Sequence, residues 1–147
     1  MIAPKMFDEM IAPYYKRVID WVHENTSWKL FFHCCGAIYP IIDTLIECGV
    51  DILNPVQTTA AGMDPAKLKA EFGDRLTFWG GGIDTQTVLP FGSPGEVRAQ
   101  VRERIQSFGT GGGFVFSPVH NIQEKVPVDN LLAMYEAVHK YGQYPLR

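Results

Sequence analysis

Long apolar runs are missing from this chain of 147 residues. None reaches the roughly 18 residues that a membrane span needs, so no membrane partner is expected. A basic excess is missing too. The net charge is −3 and the 13 lysines and arginines are scattered, which leaves no footprint for nucleic acid. An even cysteine set is missing: there are three, two of them adjacent, and neighbouring cysteines rarely pair, so a disulfide framework is not expected. The first residues, MIAPKMFDEM, lack the apolar core of a secretory leader. Together these absences point to the cytoplasm, where cysteine beside histidine reads as metal or thiol chemistry.

What is present is a globular composition, 46% hydrophobic and 20% charged, sized for a single domain over residues 1–147. Apolar residues at helical spacing (Met10, Tyr14, Val18, Trp21, Val22) predict a helix over Phe7 to Glu24. Ile2-Ala3-Pro4 before it reads as the tail of a strand or loop. Four short apolar stretches then predict strands: Lys29 to Cys34, Val50 to Pro55, Leu76 to Trp79, and Gly113 to Phe116. A helix is expected after the first, over Ile38 to Cys48, with Gly49 in the position that ends helices. Asp64-Pro65 opens the next, as cap and first-turn proline, and Gly73 closes it. Ser93-Pro94-Gly95-Glu96 is a capping box opening a helix to about Phe108, and Asn130 to Tyr141 is the last helix.

A helix followed by four strand–helix units argues for parallel strands with helical crossovers. In such folds the site forms at the C-terminal ends of the strands. Four such ends carry polar groups here: His33 and Cys35, Asn54 and Gln57, Asp84, and His120. A closed eight-stranded α/β barrel takes about 250 residues, so these four strands amount to half of one. Exposed parallel edges invite association, so a homodimer, or a partner supplying the other half of a barrel, is expected.

Side chains alternate faces along a strand, which puts His33 and Cys35 on one side and Cys34 on the other. One imidazole and one thiolate suit Zn²⁺, which takes mixed nitrogen and sulfur ligands. The competing reading is a histidine and a cysteine that only pack. His120, after the last strand, is either a third ligand or a hydrogen-bonding group. Asp84 either orients substrate or acts as a general base, or else caps a helix or turn over Thr85 to Leu89. Asn54 and Gln57 either read a small-molecule substrate or satisfy the loop around Pro55. The glycine run 109–113 precedes a strand rather than a helix and so is not a phosphate loop. Cys48 reads as core, His23 and His139 as solvated, and Trp21, Trp28 and Trp79 as packing.

Several stretches carry a resemblance: His33-Cys34-Cys35-Gly36, LIECGVDILNPVQ over 45–57, MDPAKLKAEFGDRLTFWGGGIDTQTVLP over 63–90, and GGFVFSPVHNIQEKVPVDNLLAMYEAVHKYGQYP over 112–145. They resemble the C-terminal half of the uroporphyrinogen decarboxylase-like superfamily. The resemblance implies an α/β fold holding the last four βα units of a (β/α)₈ TIM barrel. The H-x-C-G motif, here His33, Cys35 and Gly36, resembles the branch of zinc-dependent methyltransferases. These move methyl groups between a corrinoid protein and a thiol, and their motif residues bind zinc. That branch has a cysteine as third ligand in the loop after the last strand, where this chain has His120. The decarboxylase branch, which acts on uroporphyrinogen III in porphyrin synthesis, carries a histidine there. Its catalytic aspartate and substrate-binding arginines lie in the half that does not match here.

The expectation is therefore an enzyme of the methyltransferase type. Zinc is expected on His33, Cys35 and His120, Asp84 and His120 at the chemistry, and Asn54, Gln57 and Asp84 on the substrate, with a corrinoid protein as partner. The alternatives are uroporphyrinogen decarboxylase with its other half supplied elsewhere, and a non-catalytic half-barrel subunit or fragment. Without the missing half the chain is expected to be inactive.

Overall fold

A computed structural model describes residues 2–146. Four strands form one sheet: β1 (Phe31–His33), β2 (Ile52–Asn54), β3 (Thr77–Trp79) and β4 (Phe114–Val115). They lie in chain order and every pair is parallel. The helices are α1 (Pro4–Met10), α2 (Ala12–Asn25), α3 (Ile42–Glu47), α4 (Pro65–Phe72), α5 (Val88–Phe91), α6 (Pro94–Gly109) and α7 (Val128–Tyr141). This is four consecutive βα units, the arrangement of a partial TIM barrel. No helix among the described residues is long and apolar enough to cross a membrane.

The predicted helix starts are realised through their capping groups. The Asp64 carboxylate accepts from the Lys67 N–H at 2.9 Å. Ser93 and Glu96 form the reciprocal box: the Ser93 hydroxyl accepts from the Glu96 N–H at 3.3 Å, and the Glu96 carboxylate accepts from the Ser93 N–H at 2.7 Å. The segment predicted as one helix over Phe7 to Glu24 is two, divided at Ile11. Pro13 has no N–H and its ring would meet the carbonyl four residues back, so the chain restarts with the proline in the first turn of α2. Ile2 and Ala3 lead directly into α1, with Ala3 extended at its cap and Pro4 at its first turn. Ahead of α3, the chain around Pro40 takes a short 3₁₀ turn, Tyr39–Ile41.

Register lines up one apolar row across the sheet, with Phe32 beside Leu53, Leu53 beside Phe78 and Phe78 beside Phe114. This row faces the helices. Leu53 and Phe78 are 0% exposed, and burial of such side chains is worth about 1.5–3 kcal/mol each. The alternate positions face the other way and have no helix over them: Phe31 is 45% exposed and Trp79 37%, with their rings edge to face at 5.3 Å. A parallel sheet normally has both faces covered. Here one face is packed and one is bare, and by alternation the bare one carries His33 and Asn54.

The predicted stripe on the first helix is turned outward. Met10, Tyr14, Val18 and Trp21 are exposed, while Phe7, Ala12 and Ile19 are buried in the core. Helices in a βα layer contact both the sheet and neighbouring helices, so apolar spacing alone does not say which face meets the sheet. Trp21, Trp28 and Trp79, read as packing, are likewise exposed. Cys48 is core, its thiol donating to the Ala12 carbonyl at 3.4 Å.

Candidate functional site at the strand ends

β1 delivers His33 to the rim, and the turn that follows presents Cys35. The Cys35 thiol lies 3.5 Å from His33 Nε2. Cys34 points into the packed side, where it lies against the core. Burial, and then the neighbouring Cys35, push the Cys34 thiol up from its ordinary value. The two adjacent cysteines are thus chemically different: one is packed and held as a thiol, the other exposed beside an imidazole.

His33 is oriented from β2. Its Nδ1 is 2.7 Å from Asn54 Oδ1, the residue opposite it in register. The Asn54 amide nitrogen donates to the Trp79 carbonyl on β3 at 3.0 Å. With Nδ2 committed to that carbonyl, the atom facing the imidazole is an acceptor, so His33 Nδ1 is the donor in this contact. Gln57 reaches the same turn: its Oε1 accepts from the Gly36 N–H at 3.0 Å, where the backbone is left-handed with φ +95°.

A cleft of about 540 Å³ opens beside this cluster. His33 and Asn54 form one wall, the segment 117–123 another, and Tyr135 of α7 closes the side. His120 is half-buried on this wall, with no hydrogen bond among the described residues. Asn121, Ile122, Gln123 and Tyr135 join the cleft through the course of a loop, which no residue spacing announces.

Asp84 is placed differently. It is 5% exposed and does not line the cleft. Its carboxylate accepts from the Gln86 N–H at 2.7 Å, the Thr87 N–H at 3.3 Å and the Thr87 hydroxyl. Its own N–H donates to Gln100 on α6 at 2.9 Å. The carboxylate closes the turn into α5, as the capping reading of Asp84 expects, with the helix itself beginning at Val88.

His33 and Cys35 supply a nitrogen and a sulfur donor, the pairing that suits zinc, and Nε2 of His33 faces the sulfur. They fit two positions of such a site. Among the described residues, no three His, Cys, Asp or Glu side chains are grouped to hold a metal ion, so His120 is not joined to the pair.

The comparisons with known proteins bear on the whole chain. A family model described as uroporphyrinogen decarboxylase matches residues 1–141. A protein named uroporphyrinogen decarboxylase from Actinobacillus succinogenes is 33% identical over 97% of this chain and 39% of its own length. One of the same name from Pseudoalteromonas atlantica is 30% identical over the same shares. A solved methyltransferase from Methanosarcina mazei superposes with a TM-score of 0.74 at 20% identity, covering 97% of this chain and 39% of that one. At that identity the likeness shows the fold. The chain spans about two fifths of the length of these relatives.

Proposed function

From the premise that this chain belongs to the uroporphyrinogen decarboxylase family, we propose that it is four βα units of a methyl-transferring member, with His33 and Cys35 as metal ligands. The observation that carries the reading is the His33–Cys35 pair, 3.5 Å apart with the histidine locked by Asn54. A decarboxylase that works without a metal has no need of an imidazole lone pair aimed at an exposed thiol. Zinc bound there would act as a Lewis acid that keeps a substrate thiol deprotonated near neutral pH. The methyl donor in this reading is a corrinoid on a partner protein, and the acceptor is a small thiol.

The chain's own residues do the holding. Asn54 orients His33 and Gln57 holds the turn at Gly36, while His120, which lines the same cleft but stands apart from the pair, would complete the donor set on metal binding. The bare sheet face, with Phe31 and Trp79 uncovered, supports association with a second copy or with the remaining βα units of a barrel. Turnover belongs to that assembled form.

Metal content of the purified chain tests this. About one zinc per site is expected, lost in Cys35→Ala and in His33→Ala and reduced in His120→Ala. Full zinc content in Cys35→Ala removes the reading. A second reading, uroporphyrinogen decarboxylation by the completed barrel, is favoured by the names of the curated relatives. It predicts porphyrinogen turnover that is indifferent to Cys35→Ala and to chelators. Metal content and turnover together separate both from a non-catalytic half-barrel subunit or fragment, which would pair but hold no metal and turn nothing over.

A further inference from the structure

We propose that Asn54 and Gln57, at the exit of β2, are positioning residues that fix where Cys35 and the His33 lone pair stand, rather than groups that read a substrate. The first observation is that Asn54 is engaged at both ends. Its Nδ2 donates to the Trp79 carbonyl at 3.0 Å and its Oδ1 faces His33 Nδ1 at 2.7 Å. One of its two N–H donors and one of its two oxygen lone pairs are used, and this fixes which way the amide faces, although the residue also lines the cleft.

The second observation is that the two side chains bracket Cys35 in sequence. Asn54 engages His33 before it and Gln57 engages the Gly36 N–H after it. Cys35 is exposed and its thiol touches His33 Nε2, so its place depends on what holds its neighbours. A polar line therefore runs across three strands, from the Trp79 carbonyl on β3 through Asn54 on β2 to His33 on β1, and on to the Cys35 thiol. Its chemical consequence is the tautomer: neutral His33 carries its proton on Nδ1. In water the Nε2-protonated form is the more common one for neutral histidine, so the structure is asserting a specific departure. The use of that lone pair as a metal ligand rests on the reading above, but the tautomer does not.

The test is nitrogen-15 NMR of the His33 ring in the full, metal-free chain at alkaline pH. The expected wild-type spectrum has Nδ1 protonated and Nε2 of the imine type. In Asn54→Ala the Nε2-protonated form should become the major one, and Asn54→Asp, which keeps an acceptor at that place, should restore the wild-type tautomer. Gln57→Ala should speed hydrogen exchange of the Gly36 amide and leave the His33 tautomer unchanged. Nε2 protonation in the wild type overturns the proposal, and that measurement needs no variant to fold. A tautomer unmoved by Asn54→Ala overturns it as well. Zinc titration of the same proteins separates the two levels. Asn54→Ala should weaken binding roughly 10- to 100-fold, the usual cost of losing such a partner, with Asn54→Asp near wild type. A wild-type chain with the expected tautomer but no zinc affinity would sink the metal reading and leave the positioning role standing.

Discussion

The two halves of the rim use their polar groups in opposite ways. On the β1–β2 side the contacts cross strands: His33 to Asn54, Gly36 to Gln57, and Asn54 onward to β3. On the β3–β4 side backbone hydrogen bonds join the two strand exits, but the side chains of Asp84 and His120 make only local contacts or none. The Asp84 carboxylate is consumed by residues two and three positions ahead, and His120 has no hydrogen-bond partner among the described residues. A cross-strand contact fixes the geometry of a site. A contact within one loop fixes the loop. The first side is built as a site, while the second is a well-closed loop followed by a wall with an uncommitted histidine.

The largest expected effect tests the claim that Asp84 is structural. Asp84→Ala removes a buried carboxylate and leaves two N–H groups and the Thr87 hydroxyl without their acceptor, and should cost about 3 kcal/mol in urea unfolding with zinc content unchanged. Loss of zinc without loss of stability would reverse the comparison.

The glycines sharpen it next. At Gly81 φ is +78° and a Cβ would lie 2.8 Å from the Val56 backbone oxygen, so Gly81→Ala should cost about 2–3 kcal/mol. At Gly36 φ is +95° but the space is open, so Gly36→Ala should cost only about 1–2 kcal/mol. Thermal unfolding of the pair should rank them in that order.

A smaller effect lies at the other end of β1 and β2. The Asp51 carboxylate accepts from Lys29 at 2.8 Å and from the Leu30 N–H at 2.8 Å, and its Oδ2 lies 2.9 Å from His23. Burial alone would raise its pKa, but Lys29, Leu30 and His23 outweigh burial and hold it below the ordinary value. Because the folded value is depressed, the stabilisation is whole above the ordinary carboxylate range and is lost as pH falls through the folded value. Asp51→Asn should therefore approach wild-type stability at acid pH and fall short of it near neutrality; denaturant midpoints across pH read this out.

The smallest expected effect is at His120. His120→Ala should change stability by less than about 0.5 kcal/mol, since it breaks no hydrogen bond, while still lowering zinc content. A large loss of stability would mean that the second half of the rim is as tightly wired as the first.

Particular residues show how far the sequence could be read. Alternation along one strand put His33 with Cys35 and set Cys34 apart, and the structure places them so. The caps at Asp64 and Ser93 were legible because each satisfies a backbone N–H within three residues. Both readings of Asp84 were visible, and its three donors in the turn are what the capping reading describes. Asn54 as the partner of His33 was not legible, because it depends on the register between β1 and β2. Nor was the outward turn of Tyr14, Val18 and Trp21, which depends on what lies on either side of the helix. His23, read as solvated, is exposed, and it also meets Asp51 at 2.9 Å, a contact that depends on where α2 lies against the start of β2.

The sequence alone determined the order of elements, the caps, the breaks at proline and glycine, and which side chains of a strand share a face. Each of these is settled by interactions reaching only a few residues. Only the tertiary structure decided the register of the four strands, the partner of His33, the lining of the cleft and the bare face of the sheet. These depend on groups far apart in the chain, and a one-residue slip between neighbouring strands would have turned the same residues away from one another.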